Sequence, residues 1–265
     1  MNGKELRASM RNGATVYGTM INVARNTRGA TVFGQLGFDF AIVDTEHSPN
    51  GRSEVADAAG AFLAAGVCPI IRVPNTEPHA TVMALDAGFH GVLVPYCETP
   101  EEVRAVVNAA RLRPLKGALH TIARDQGTFP SDATRVYLEK RNANVVVIIG
   151  IESVPAVENI EQILDVGGID ALFIGPNDLT VSLGVPDQYD HPSYVQAVER
   201  VIAAANARGV PAGPHCLTDE QLTVWQSKGA RFILFSSDWR ALSEGYRASL
   251  SRARGKDVGP VKRPA

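Results

Sequence analysis

A single (β/α)8 barrel with a parallel sheet is the α/β fold this sequence predicts, on three observations. Eight short apolar runs recur along the 265 residues, segments with helical spacing lie between them, and no GxGxxG or GxxxxGK[ST] follows any run. Alternating βα units imply a parallel sheet, and closure into a barrel explains a count of eight better than an open doubly wound sheet with a nucleotide crevice. Length alone suits one large barrel or two small domains. The domain is assigned to residues 1–254 and a loose tail, GKDVGPVKRPA, to 255–265.

Each element has its own signal. The strands are read at TVYGTMIN (15–22), FDFAIVD (38–44), VCPIIRV (67–73), GVLVPY (91–96), VVVIIGIE (145–152), ALFIGPND (171–178), PAGPHC (211–216) and RFILFSSD (231–238). In the second, Phe40 to Val43 are apolar without alternation, as in a strand covered on both faces. Helical spacing marks SEVADAAGAFLAAG (53–66), PEEVRAVVNAARLR (100–113), VPAVENIEQILDVGG (154–168) and YVQAVERVIAAANARG (194–209). Thr99, Pro100 and Glu102 supply an N-cap, a first-turn proline and a capping-box acid, and Thr218 with Gln221 repeats the box. Gly66, Gly88, Gly168 and Gly209 stand where helices need a left-handed residue to stop. Two longer segments, 116–144 and 178–193, interrupt the rhythm and are expected to be active-site loops, oligomer contacts or plain surface excursions.

Composition removes several function classes. A formal charge of −2 leaves no basic surplus for nucleic acid or an anionic membrane. No apolar stretch reaches the roughly 20 residues that cross a bilayer, and MNGKELRASMRNG carries charge where a signal peptide needs apolar residues. A cytoplasmic location is expected. Three cysteines, Cys68, Cys97 and Cys216, with no CxxC spacing read as packed free thiols.

In a barrel of this kind chemistry sits where the strands end, because the βα loops converge on that mouth. The ends in chain order offer Asn22; then Asp44, Glu46 and His47; then Arg72, Glu98, Glu152, Asp178, His215 and Asp238. Taken singly each has an ordinary reading: Asp178 as a helix cap, Glu152 as the partner of Arg72, His47 as a loop histidine. Jointly, two acids on adjacent strands with no lysine beside either point to a bound cation, since unpaired buried charge is costly. Oxygen ligands favour a hard divalent ion, Mg²⁺ or Mn²⁺ or else Co²⁺.

The segments FDFAIVDTEHSPN, PIIRVP, LDAGFHGVLVP, IGIES and ALFIGPNDL resemble the HpcH/HpaI aldolase family, over about residues 4 to 250. The resemblance implies a phosphoenolpyruvate/pyruvate-type barrel and a metal-dependent class II pyruvate aldolase, of the 4-hydroxy-2-oxoheptanedioate or 2-dehydro-3-deoxyglucarate aldolase kind. Glu152 and Asp178 would hold the metal. His47 would be the general base with Asp86 as its partner, although Asp86 lies within a helical pattern and spacing alone does not select it. Arg72 would face the ketone oxygen, Asp44 and Glu46 would orient water on the metal, and backbone at Gly175, Asn177 and Asp178 would receive the pyruvate carboxylate.

A homo-oligomer is also implied, often a hexamer of dimers that exchange a terminal helix; DWRALSEGYRASLSRA (238–253) is the candidate, with closure of its own barrel as the equal reading. Two departures from the family pattern stand out: Gly150 where relatives carry glutamine, and KGALHTIARD, with Lys116 and His120, after the fourth strand. A metal lyase or synthase acting on oxaloacetate, citrate-like acids or an acyl-CoA is the alternative function. A non-catalytic 2-oxoacid-binding barrel is a more distant one. A Schiff-base aldolase is disfavoured because no strand end carries a lysine.

Overall fold

All eight apolar runs form strands. The computed structural model describes residues 1–24 and 26–261, and in it β1 (Val16–Ile21), β2 (Phe40–Asp44), β3 (Cys68–Arg72), β4 (Gly91–Val94), β5 (Val146–Ile151), β6 (Ala171–Ile174), β7 (Ala212–Cys216) and β8 (Phe232–Ser237) close a parallel barrel in chain order. The helices are α1 (Gly3–Arg11), α2 (Thr27–Leu36), α3 (Arg52–Ala64), α4 (Pro78–Asp86), α5 (Pro100–Arg111), α6 (Gly117–Gln126) and α7 (Asp132–Arg141). They continue with α8 (Val154–Glu158), α9 (Ile160–Asp165), α10 (Pro176–Ser182), α11 (Pro192–Ala207), α12 (Asp219–Ser227) and α13 (Asp238–Arg254). Of the expected tail, residues 262–265 lie outside the described residues.

Strand parity sorts the side chains into two cores. Val16, Met20, Phe40, Ile42, Cys68, Ile70, Leu93, Val146, Ile148, Ala171, Phe173, Phe232 and Leu234 fill the barrel interior, with Phe40 stacked on Phe232 at 4.6 Å. Their neighbours, such as Ala41, Val43, Ile71, Ile149 and Ile174, face the helices. A side-chain period of two continues each inward row upward: Phe40, Ile42, Asp44 on β2; Cys68, Ile70, Arg72 on β3; Val146, Ile148, Gly150, Glu152 from β5. The apolar interior thus hands over to charge at the carboxyl ends. At the opposite end Leu6 and Met10, one turn apart on α1, plug the barrel, and Arg7 Nε ties α1 to Asp170 Oδ1 at 2.8 Å.

Local chemistry explains the helix ends. Thr99 accepts from Glu102 N, whose carboxylate reaches back to Thr99 N, completing the expected capping box. Thr218 accepts from Gln221 N, but the Gln221 amide oxygen takes the N–H of Leu217 instead of Thr218. Gly66, Gly88, Gly168 and Gly209 all have positive φ. The expected helix over 154–168 is split into α8 and α9 at Asn159, whose Nδ2 donates to Glu98 O at 2.9 Å. ALFIGPND stops being a strand at Ile174, so Asp178 lies in the first turn of α10.

The segment 116–144 loses one of its three readings, that of an active-site loop. It holds α6 and α7 and follows α5, after the chain has returned to the amino ends of the strands. There Asn142 Nδ2 donates to the carbonyls of Arg111 and Arg113, and Arg111 donates to Val145 O and pairs with Asp170. The segment is no loop of its own barrel's mouth. By contrast 178–193 does follow β6 at the mouth, where Tyr189 OH donates to Asn177 Oδ1 at 3.0 Å. The three cysteines are buried and free, and no helix among the described residues is long and apolar enough to cross a membrane.

Candidate active site

At the carboxyl ends of the strands a cavity of about 250 Å³ is lined by Asn22, Asp44, His47, Arg72, Glu152 and Asp178, with Gly175, Asn177 and His215 beside them. The register explains the first pairing. Asp44 and Arg72 are direct neighbours on β2 and β3, both inward, so the carboxylate meets the guanidinium with two prongs: Nε to Oδ1 and Nη2 to Oδ2, each 2.9 Å. Asp44 also receives Asn22 Nδ2 at 3.3 Å and the backbone N–H of Glu46 and His47. Burial pushes the Asp44 carboxyl up, but the Arg72 hydrogen bonds and charge overcome it and leave it below the ordinary carboxylate range.

Glu46 Oε2 lies 2.9 Å from Arg72 Nη1 and 3.6 Å from His47 Nε2, bridging the two. Both acids expected to orient water therefore hold Arg72, and Glu46 also reaches His47. Burial raises Glu46, against the pull of Arg72 and His47. Arg72 stays firmly protonated: burial acts against its charge, but Asp44, Glu46 and Glu152 outweigh that. His47 sits on the loop after β2 with its side chain 54% exposed, open to a ligand entering the mouth.

Glu152, just past the end of β5 and two strands along from Arg72, is only 1% exposed. Burial pushes its carboxyl up to about 8; Arg72 opposes this, while the negative charges of Glu46 and Asp178 and a hydrogen bond to Asp178 add to it. Its Oε1 is buried with no hydrogen-bond partner among the described residues. Two glycines leave space for this carboxylate: a Cβ on Gly175 would lie 2.8 Å from Glu152 Oε2, and one on Gly150 2.4 Å from Oε1. Gly150, a departure at the level of sequence, is thus in close contact with the acid. An unpartnered buried oxygen, a facing second acid and a cradle kept free of Cβ atoms form a donor set that fits a divalent cation. Among the described residues no group of three or more His, Cys, Asp or Glu side chains could hold an ion, so Glu152 and Asp178 would be the protein's share of the ligands.

Asp86 lies in a helix, as its pattern predicts, and within one chain it does not pair with His47. It ends α4, which runs from the mouth back along the outside, and its Oδ1 lies 3.5 Å from both Arg113 and Arg141. It lines a separate cavity with Asn50 and Met83, and within one chain Glu46 stands beside His47 instead. Two residues to which the sequence reading gave no role enter the site. Asn22 links Asp44 to Ser48 Oγ at 3.2 Å, and His215 lies in the wall with Nε2 2.7 Å from Ser236 O. Both stand among the strand ends expected at the mouth, and inward parity on β1 and β7 turns them into the cavity.

Known proteins share this architecture. A 5-keto-4-deoxy-D-glucarate aldolase from Salmonella paratyphi A is 33% identical over 224 residues, 83% of this chain and 84% of that one. The structure of an HpcH/HpaI aldolase/citrate lyase family protein from Burkholderia cenocepacia J2315 superimposes with a TM-score of 0.82 at 31% identity, covering 95% of this chain and 99% of the other. That of the citrate synthase SbnG gives 0.81 at 28% identity, covering 94% and 97%. The family model for HpcH/HpaI aldolase/citrate lyase matches residues 21–239, nearly the whole barrel with every mouth residue described above, and the chain belongs to that family.

Proposed function

We propose that this aldolase-type enzyme reversibly cleaves 4-hydroxy-2-oxoacids to pyruvate and an aldehyde, using a divalent cation (Mg²⁺, Mn²⁺ or Co²⁺) held by Glu152 and Asp178. The observation that carries the reading is the convergence, in one cavity, of two acids, one buried and short of a partner, with a guanidinium that Asp44 holds in place. When bound, the cation would supply Lewis-acid polarisation of the 2-oxoacid. Arg72, fixed by two prongs, would hydrogen-bond the keto oxygen and stabilise the negative charge that gathers there as the C3–C4 bond breaks. His47, with the Glu46 carboxylate 3.6 Å from its Nε2, would accept the proton of the C4 hydroxyl and pass a proton to C3 of the enolate, so that pyruvate leaves with its methyl group complete and the imidazole is restored. First-turn backbone of α10, at Asn177 and Asp178 after Gly175, would receive the carboxylate. In the addition direction the same groups act in reverse.

The Salmonella relative, named for a sugar-derived oxoacid, supports this class of substrate. The resemblance to SbnG keeps a second reading in view, condensation of a 2-oxoacid such as oxaloacetate with another acid. A homo-oligomer belongs to the proposal too: Leu242, Tyr246 and Leu250 form an exposed stripe along α13, the helix expected to reach a second copy. The test is exchange of pyruvate methyl protons for deuterium, followed by NMR. Exchange with Mn²⁺ that chelator abolishes supports the reading; no exchange by folded, Mn²⁺-supplied protein sinks it. An aldehyde panel against oxaloacetate separates aldolase from the synthase reading.

A further inference from the structure

We propose that His215 is a specificity-determining residue whose Nδ1 accepts a hydrogen bond from a hydroxyl group on the aldehyde half of the substrate. The inference rests on the aldolase reading above and adds a residue that the mechanism does not use.

The geometry fixes the tautomer. A carbonyl oxygen only accepts, so the 2.7 Å contact with Ser236 O makes Nε2 the hydrogen-bearing nitrogen. Ser236 presents that carbonyl from a left-handed backbone, φ +54°, rare for a residue that is not glycine. Burial, with the charges of Arg72 and Arg240, pulls His215 down to about 4, against the Ser236 hydrogen bond, so the ring is neutral near pH 7. Nδ1 then carries a lone pair and no proton. No hydrogen bond to Nδ1 is made among the described residues, nor is it a sealed buried atom, which leaves it open to the cavity that His215 lines. So low a basicity makes His215 a poor general base at neutral pH and leaves it the role of acceptor.

Position within the mouth selects the ligand. The groups assigned to the 2-oxoacid come from β3, β5 and the β6–α10 turn. The remaining arc of the wall is built from β7, β8 and β1, and there His215 stands among Met20, Leu217 and Ser237. An acceptor set in a partly apolar wall rewards a hydroxyl and is left unsatisfied by its deoxy counterpart, which is how a site rejects the analogue lacking the group.

The experiment uses the full chain with Mn²⁺ and measures kcat/KM for addition of pyruvate to D-glyceraldehyde and to propionaldehyde, with pyruvate proton exchange recorded for each protein. The wild type should favour glyceraldehyde at least tenfold. His215→Leu should lower that preference about tenfold, and His215→Gln, which keeps an acceptor, should restore part of it. Equal losses on both aldehydes, or a preference that His215→Leu does not change, would overturn the role of His215 while exchange continues. Loss of exchange in His215→Leu alone would assign the residue to pyruvate instead and also overturn it. Absence of exchange in the wild type would overturn the enolate reading and this role with it.

Discussion

Replacing Glu152 with glutamine removes the buried acid while keeping its shape, and the structure sets the size of the effect. The rise of the Glu152 carboxyl from an ordinary 4.5 to about 8 corresponds to about 5 kcal/mol at roughly 1.4 kcal/mol per pH unit. At 1% exposure, solvent screening gives little reason to discount this, although relaxation around the charge brings the expected range to about 3–5 kcal/mol. The sign follows from proton uptake. Between pH 4.5 and 8 the metal-free folded chain holds a proton that the unfolded chain has released, so this contribution is complete below 4.5 and is lost as pH rises through 8. Glutamine has no such loss. Metal-free Glu152→Gln should match the wild type near pH 5 and exceed it in unfolding free energy by several kcal/mol at pH 9. Added Mn²⁺ should reverse the order, by stabilising the wild type and leaving the variant unmoved. Urea titrations at pH 5, 7 and 9, with chelator or with Mn²⁺, read the difference between the two proteins and so cancel every titrating group that does not interact with Glu152; Glu46 and Asp178, which do, titrate with it as one set. Parallel pH profiles would refute the claim that Glu152 is a buried acid short of its cation.

Three further outcomes follow from the same geometry. Arg72→Lys keeps the charge but loses the two-pronged grip on Asp44, and kcat/KM should fall at least a hundredfold; a loss under tenfold in steady-state assays would show that the fork does not matter. Gly175→Ala places a Cβ 2.8 Å from the Glu152 carboxylate, with only Glu152 atoms as its nearest contacts, so Mn²⁺ affinity measured by calorimetry should weaken about tenfold or more. An unaltered Kd would count against the cradle. His47→Ala should reduce cleavage on the order of a hundredfold to ten-thousandfold with little change in melting temperature, because the side chain is 54% exposed; retained cleavage would remove His47 as the base.

The parts of the site visible in the sequence were those governed by a period of two. Asp44, Arg72 and Glu152 continue inward rows of apolar residues, so strand parity alone carries them to the mouth. Which acid takes Arg72 was not visible. Glu152 was a reasonable partner until the register set Asp44 directly across from Arg72 on the neighbouring strand. The surroundings of Asp86 and of the segment 116–144 were not legible for another reason: where an outer helix ends relative to the barrel depends on its packing and on the path of the loop, and neither leaves a periodic trace. The His215 contact needs a left-handed serine, and Ser236 in RFILFSSD gives no sign of one. Helix breaks behave likewise, since Asn159 divides α8 from α9 through a side-chain bond to a carbonyl 61 residues away.

Anomalous diffraction from a crystal grown with Mn²⁺ and pyruvate tests the central claim most directly. A manganese peak between the carboxylates of Glu152 and Asp178, with the keto oxygen turned toward Arg72, is the predicted result. Manganese bound elsewhere, or both carboxylates without metal while the ion binds another part of the chain, would contradict it.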